Sequence, residues 1–532
     1  MKKIKLDRNI LSNLIYYKYN VKRDGRIMNT KRFTSITINL VCGLAWVLPV
    51  YFFARDFFHI DKIRELSQQN ILDVLFFSVK QSFYSTVVAF LIALIPAYYS
   101  AYKRNFLTKL INGLIFIPFF FPVISVVTIF SIVFNMGIFK EMNILYSLKA
   151  IVIANVFYNS PIFVKYIGEG LKRIPKEISE AMKGDGADNI TIFFRGQLPL
   201  IMPQIFRGFI LVFTYCFLGL GIVLSLGGIK YSIIEVEIAN TLMSGANFSK
   251  AMYLGIIQVI VLIILNFFGI FIKEYELTGN PETKRLNPVL GVYSFIYAIL
   301  QYAVVAFSFL YSFVNVITGK FTIKAYENLF SPDFIEDYAV VESLFNSLKI
   351  SIVVSAISVI LIYIIIKNYN RFTDILIFSN LGISGAFLAI TLYYLNVLFD
   401  IPLAFLLILG YLIVVIPIGY SFMYQYVKKF PREVLESGDL DCKNSLQRFI
   451  YVEFPILKNI FLSAFLQIFA IVFGEFTIGY TMQLEDIFPV ASLVNYSLVS
   501  NKQYMESSAF TSIIIAIILS AFILGEYLKS ED

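Results

Sequence analysis

The chain has 532 residues, of which 58% are apolar and 15% charged, with a mean hydropathy of +0.75 and a formal net charge of +8. Soluble proteins carry roughly 45–50% apolar and about 25% charged residues, so one aqueous core is excluded and lipid must solvate much of the chain. The positive balance does not indicate nucleic acid, because the basic residues sit in short clusters between apolar spans, where they orient a membrane protein.

Residues 1–32 hold ten Lys/Arg against two Asp. This basic stretch is longer than a secretory leader's, and Trp46-Val47-Leu48-Pro49 offers no small-residue cleavage site. It reads as a cytoplasmic tail ahead of an uncleaved span at 35–53. Spans of bilayer length follow at 75–99, 107–134, 150–167, 200–226 and 251–272, then at 289–316, 344–366, 375–398, 403–422, 456–478 and 510–528. The expected fold is all-α, a polytopic membrane protein of about 12 transmembrane helices. Lys103 and Arg104, Lys172 and Arg173, Lys284 and Arg285, Lys367 and Arg371, and Lys428 and Lys429 fall in alternate loops. The positive-inside bias makes that side, with both termini, cytoplasmic. The polar stretch 273–288 carries a Gly-Asn-Pro turn signal and reads as a cytoplasmic linker. It joins a first transmembrane domain, 33–272, to a second, 289–532.

Two cytoplasmic loops, 171–199 and 427–455, match each other without a gap. Pro175, Glu177, Glu180 and Pro199 recur 256 residues later as Pro431, Glu433, Glu436 and Pro455. Internal repetition follows, and with it two homologous six-helix halves. Each loop reads as a short helix, a turn and a second short helix. Pro175 and Pro431 suit a first helical position. Glu177 and Glu433 favour the positive end of the helix dipole. Ile178, Ala181 and Met182 predict an apolar face, with Lys176, Glu180 and Lys183 opposite. Gly186 permits the turn, and Asp188 or Asn189, like Asn444 or Ser445, suits an N-cap. Such a pair presents a docking surface for a two-fold symmetric partner.

Glu180-Ala181-Met182, Gly186 and Leu198-Pro199 resemble the EAA loop of permeases from binding-protein-dependent ABC importers. The second copy keeps Glu436 and Pro455 but has Cys442 at the glycine position and Phe454 before the proline; Gly438 offers alternative flexibility. The resemblance implies a type I ABC importer permease fold, with the two loops as coupling helices seated in two cytoplasmic ATPase subunits. It also implies an extracytoplasmic solute-binding protein and an inner-membrane location. Two EAA loops on one chain, with Val223–Gly228, Ile234–Ile238 and Gly474-Glu475-Phe476, are similar to fused permeases for iron(III) and thiamine.

The chain has no GxxxxGK[ST] phosphate loop, so it is expected to bind no cofactor and to rely on ATP used by partner subunits. Cys42, Cys216 and Cys442 lie far apart, and His59 is the single histidine, which argues against a zinc cluster or a catalytic triad. No catalytic or metal site is expected. Glu475 is an intramembrane acid, a residue type that faces either a partner or a wet pathway. Gly219 stands 256 residues before it, and the two mark a candidate translocation pathway. Lys80 and Lys349 read as snorkelling side chains, and Glu235 and Glu237 as part of a solvated outer loop. An ion-coupled secondary transporter of two six-helix halves is the alternative function. A membrane-embedded enzyme would need a cluster of ionisable residues that the sequence does not show.

Overall fold

The computed structural model describes residues 43–45, 47–59, 71–114, 121–228, 230–270, 283–314, 320–368 and 384–530, with isolated positions between them. The tail 1–32 and most of the linker 273–288 lie outside the described residues. In chain order, the first half contributes α1 (47–57), α2 (Ile71–Tyr102), α3 (Phe106–Gly113), α4 (Val123–Phe134) and α5 (Leu148–Lys172). It continues with α6 (Lys176–Gly184), α7 (Leu198–Phe217), α8 (Leu220–Leu226), α9 (Ile234–Ala239) and α10 (Phe248–Ile270). After the linker come α11 (Pro288–Tyr311), α12 (Val340–Lys367), α13 (Gly385–Phe399), α14 (Leu403–Lys428) and α15 (Arg432–Asp441). The chain closes with α16 (Phe454–Phe473), α17 (Thr477–Thr481), α18 (Ala491–Ser500) and α19 (Tyr504–Ser530).

The protein is a helical membrane protein: among the described residues, nine helices are long and apolar enough to cross a bilayer, and each lies on a predicted span. The other three predicted spans, at 35–53, 107–134 and 375–398, include positions outside the described residues. Two spans that hydropathy runs together are broken in the structure. Helix α7 stops at Phe217, and Gly219, at φ −75° and ψ 67°, turns the chain before α8. A Cβ on Gly219 would stand 3.2 Å from the Tyr215 carbonyl oxygen, so the bend favours glycine. In the second half Gly474, Glu475 and Phe476 separate α16 from α17.

Elements recur 256 residues apart. Helices α6 and α15, α7 and α16, and α10 and α19 start at that spacing, and Pro161 and Pro417 lie inside α5 and α14 at the same interval. The buried bonds between elements recur as well. Ser78 of α2 accepts the Ile234 N–H at 3.0 Å, and Ser347 of α12 accepts the Ala491 N–H at 2.8 Å. Each serine thereby satisfies an otherwise orphaned amide at the start of a short helix. Small buried residues on these helices, among them Ser82, Ser85, Ser351 and Ser355, let backbones approach closely where lipid supplies no hydrophobic drive.

The first helix of each half packs against the other half. Phe53 of α1 meets Phe387 and Tyr394 of α13 edge-on at 6.2 and 5.6 Å, and the Tyr394 hydroxyl donates to Asp56 at 2.8 Å. From α11, Tyr297 bonds Ser160 at 3.1 Å and Tyr302 donates to the Leu110 carbonyl at 2.9 Å. The crossing ties two repeats into one core.

Candidate functional site

In the first loop, Pro175 sits just before α6 at φ −59° and ψ 135°, and Pro431 just before α15 at −59° and 127°. Both occupy the cap position, one residue earlier than the sequence reading placed them. Their ψ angles are extended, which puts them outside the helix, while their carbonyls accept its first bonds, from Ile178 at 3.3 Å and Leu435 at 3.4 Å. Glu177, Glu180, Glu433 and Glu436 all face solvent. Ala181 is exposed beside Glu180, contrary to its assignment to the apolar face, and Ser437 repeats this in the second loop. The covered face consists of Ile178, Ser179 and Met182, with buried Ser179 accepting a bond from Gln197 at 3.1 Å.

The turns differ. Gly186 adopts φ +84°, a left-handed conformation that glycine reaches without strain. Cys442 at the matching position is extended, at φ −102° and ψ 138°, so the second loop turns without a left-handed residue. Both loops nevertheless resume helix at the same spacing. Asp188 accepts the Thr191 N–H at 3.0 Å, and Asn444 accepts the Gln447 N–H at 2.8 Å. Hydrogen bonds from Thr191, side chain first and backbone second, hold the Asp188 carboxyl below its ordinary range.

Packing between the two short helices is conserved by exchange of sizes. A Cβ on Gly196 would lie 2.4 Å from the Met182 sulfur, so glycine there makes room for methionine. At the corresponding places in the second loop, Gly438 stands against Val452, whose methyl would be 3.3 Å from a Cβ on residue 438. Gly438 lies inside α15 as the small member of this contact and does not form the turn.

Each loop then widens into a π-helical turn, Ile192–Gln197 in one and Phe449–Glu453 in the other. Leu198-Pro199 and Phe454-Pro455 follow at once and begin α7 and α16. A proline within a continuing helix lacks an N–H and crowds the carbonyl four residues back, here Arg195 and Tyr451, where each wide turn sits. Ile190 and Leu446, 256 residues apart and each 67% exposed, add an apolar knob to each loop. The sequence reading missed this pair; its signal was an apolar residue two positions after each N-cap.

Glu475 and Gly219 line one cavity of 310 Å³ between the halves, with Asn155, Asn159, Tyr158 and Thr477 among the other walls. Glu475 accepts the N–H groups of Thr477 at 2.8 Å and Ile478 at 3.2 Å, so its carboxylate caps α17 as well as facing the cavity. The buried Asn159 gives its amide N–H to the Asn155 carbonyl at 3.0 Å and leaves its own Oδ1 without a donor. Lys80 is exposed on α2 with its ammonium 6.0 Å from the Phe76 ring, and Lys349 is exposed on α12.

Glu235 requires correction. It is 1% exposed rather than solvated, accepting Gln258 Nε2 at 2.6 Å and the Ala386 N–H at 2.9 Å. It thus caps the second half's α13 from the first half. Glu237 keeps contact with solvent and pairs with Lys250 at 2.6 Å.

Fold and site together define a polytopic membrane protein with two matched loops and, between its halves, a largely apolar cavity that carries a few polar groups. Residues 86–275 match the family described as the binding-protein-dependent transport system inner membrane component, a stretch that contains the whole first loop. The chain is 32% identical over 143 residues to the inner membrane ABC transporter permease protein YcjP of Escherichia coli (strain K12), covering 26% of this chain and 47% of that one. It is 23% identical over 206 residues to the thiamine transport system permease protein ThiP of Haemophilus influenzae, covering 36% and 38%. A third relative, the probable sulfate transport system permease protein cysT of Helicosporidium, is 26% identical over 147 residues, covering 26% and 53%. The chain spans 38–53% of the length of these relatives. The similarity is to ABC permeases.

Proposed function

We propose that this chain is the membrane permease of an ATP-binding-cassette importer, with both permease halves fused. A solute-binding protein delivers to the outer face, and two ATPase subunits dock on the cytoplasmic loops. ATP-driven closure of the ATPases then alternates access to the cavity. The observation that carries the reading is the repeated exposed surface: Glu177, Glu180 and Ile190 in one loop, Glu433, Glu436 and Leu446 in the other. An apolar knob beside exposed acids, presented twice by one chain, fits a partner that itself comes in two copies. A secondary transporter has no use for such a pair.

The solute is proposed to be a cation or bound as one, of the iron(III) or thiamine type. Glu475 brings a carboxyl group to the cavity and Asn159 an unused acceptor, which together favour a donor-bearing guest over an oxyanion such as sulfate. Gly219 leaves the opposite wall without a side chain.

The docking claim is tested by co-purification. The tagged chain should retain its ATPase in detergent, and the double variant Glu180→Lys, Glu436→Lys should lose it while remaining folded. Unchanged retention and unchanged ATP hydrolysis would sink the docking claim.

A further inference from the structure

The two loops are joined to the membrane helices by different chemistry. In the first half, Gln197 donates to Ser179 of α6, a neutral bond between buried side chains. The residue 256 positions later is Glu453, 1% exposed, and its surroundings are ionic. Lys367, the last residue of α12, approaches it to 2.6 Å, and Arg448 donates to it at 3.1 Å. The Tyr363 hydroxyl, one turn back on α12, also donates to Glu453. Arg448 in turn pairs with Asp439 of α15. The ammonium of Lys367 lies 5.7 Å from the ring of Phe430, the residue before Pro431. Two anions and two cations thus form a balanced chain from the short helix α15 to the membrane helix α12, with Glu453 as its buried centre.

A buried network of this kind favours one arrangement over its alternatives by leaving any other with unpaired charge. Displacement of α15 relative to α12 would part Asp439 from Arg448 or, if Arg448 followed α15, Arg448 from the buried Glu453. The first loop carries no such restraint, because a Gln–Ser bond can be exchanged for water at little cost.

We infer that Glu453 is a positioning residue that makes the second loop and α12 move as one body, while the first loop is the compliant one. The inference rests on the permease reading, and it makes the two ATPase contacts unequal: a stroke at the second loop reaches α12 directly, and a stroke at the first is partly absorbed in its own hinge.

The test uses the full chain with its ATPase, spin-labelled at the native Cys442 just beyond α15 and at Ile360→Cys on the exposed face of α12, with Cys42 and Cys216 replaced by Ser. Without mutation the label distance should be narrow and the same with and without a non-hydrolysable ATP analogue. Glu453→Gln, which installs the first half's residue, should broaden it on nucleotide binding. The same variant should lower the stimulation of ATP hydrolysis by the binding protein by about two- to thirtyfold, with the ATPase still attached. Asp439→Asn, half-exposed and leaving the Glu453–Lys367 pair intact, should act in the same direction more weakly, and it decides the matter if Glu453→Gln does not fold. Wild-type distances and stimulation in the variants that fold would overturn the inference. Failure of the unmutated chain to hold an ATPase would instead overturn the permease reading, and the inference with it.

Discussion

Gly219 and Glu475 occupy the same place in the two halves, 256 residues apart, and both line the cavity between them. The cavity is therefore lined by a repeat but carries an acidic side chain on one side only. Replacing Glu475 by Gln keeps an acceptor for the Thr477 amide, so the cap on α17 should weaken by no more than about 1 kcal/mol. Uptake of a cationic probe such as thiamine should fall by about tenfold, the equivalent of about 1.4 kcal/mol of lost attraction. Equal uptake by variant and wild type in proteoliposomes would remove Glu475 from the pathway.

The exposed pair Ile190 and Leu446 separates docking from folding. Neither side chain supports the core, so Ile190→Asp and Leu446→Asp should change stability by no more than about 0.5 kcal/mol. Both should sharply weaken retention of the ATPase. Thermal melting and co-purification, measured on the same preparations, distinguish this from a general loss of structure.

Exchange of sizes between Met182–Gly196 and Gly438–Val452 predicts a rescue. Gly196→Val alone should cost about 1–3 kcal/mol by overpacking against Met182. Adding Met182→Gly recreates the second loop's arrangement and should recover most of that loss. A double-mutant cycle in thermal unfolding measures the coupling, and strict additivity would show that the two contacts are unrelated.

Glu235 ties the halves together by accepting the Ala386 amide at the start of α13. Truncation to Ala leaves that N–H and Gln258 unpaired in a buried place, at a cost of about 1–3 kcal/mol. Glu235→Gln retains an acceptor for Ala386 and should lose less. The order of the two melting temperatures checks the assignment.

The loops and the spans were legible because prolines, acids and apolar runs act locally. Pro199 shapes the turn beside it, and Glu180 needs only its own helix to face water. Breaks inside spans were not legible, since hydropathy averages through Gly219 as readily as through a leucine. Glu235 looked like a loop residue because its two partners, Gln258 and Ala386, lie far along the chain. Lys367 read as an orienting charge for the same reason: its bond to Glu453 joins positions 86 residues apart, counted along the sequence. Ala181 showed the limit of periodicity in a nine-residue helix, where Ser179 took the covered place through its bond to Gln197.

The central claim is that two loops of one chain each engage an ATPase. A photo-crosslinking amino acid placed at residue 180 or at residue 436, in cells that express the whole transporter, reads this directly. The account predicts an ATPase adduct from each position separately, and a product carrying two ATPases when both positions are substituted. Adducts from neither position, in a chain that still transports, would contradict it.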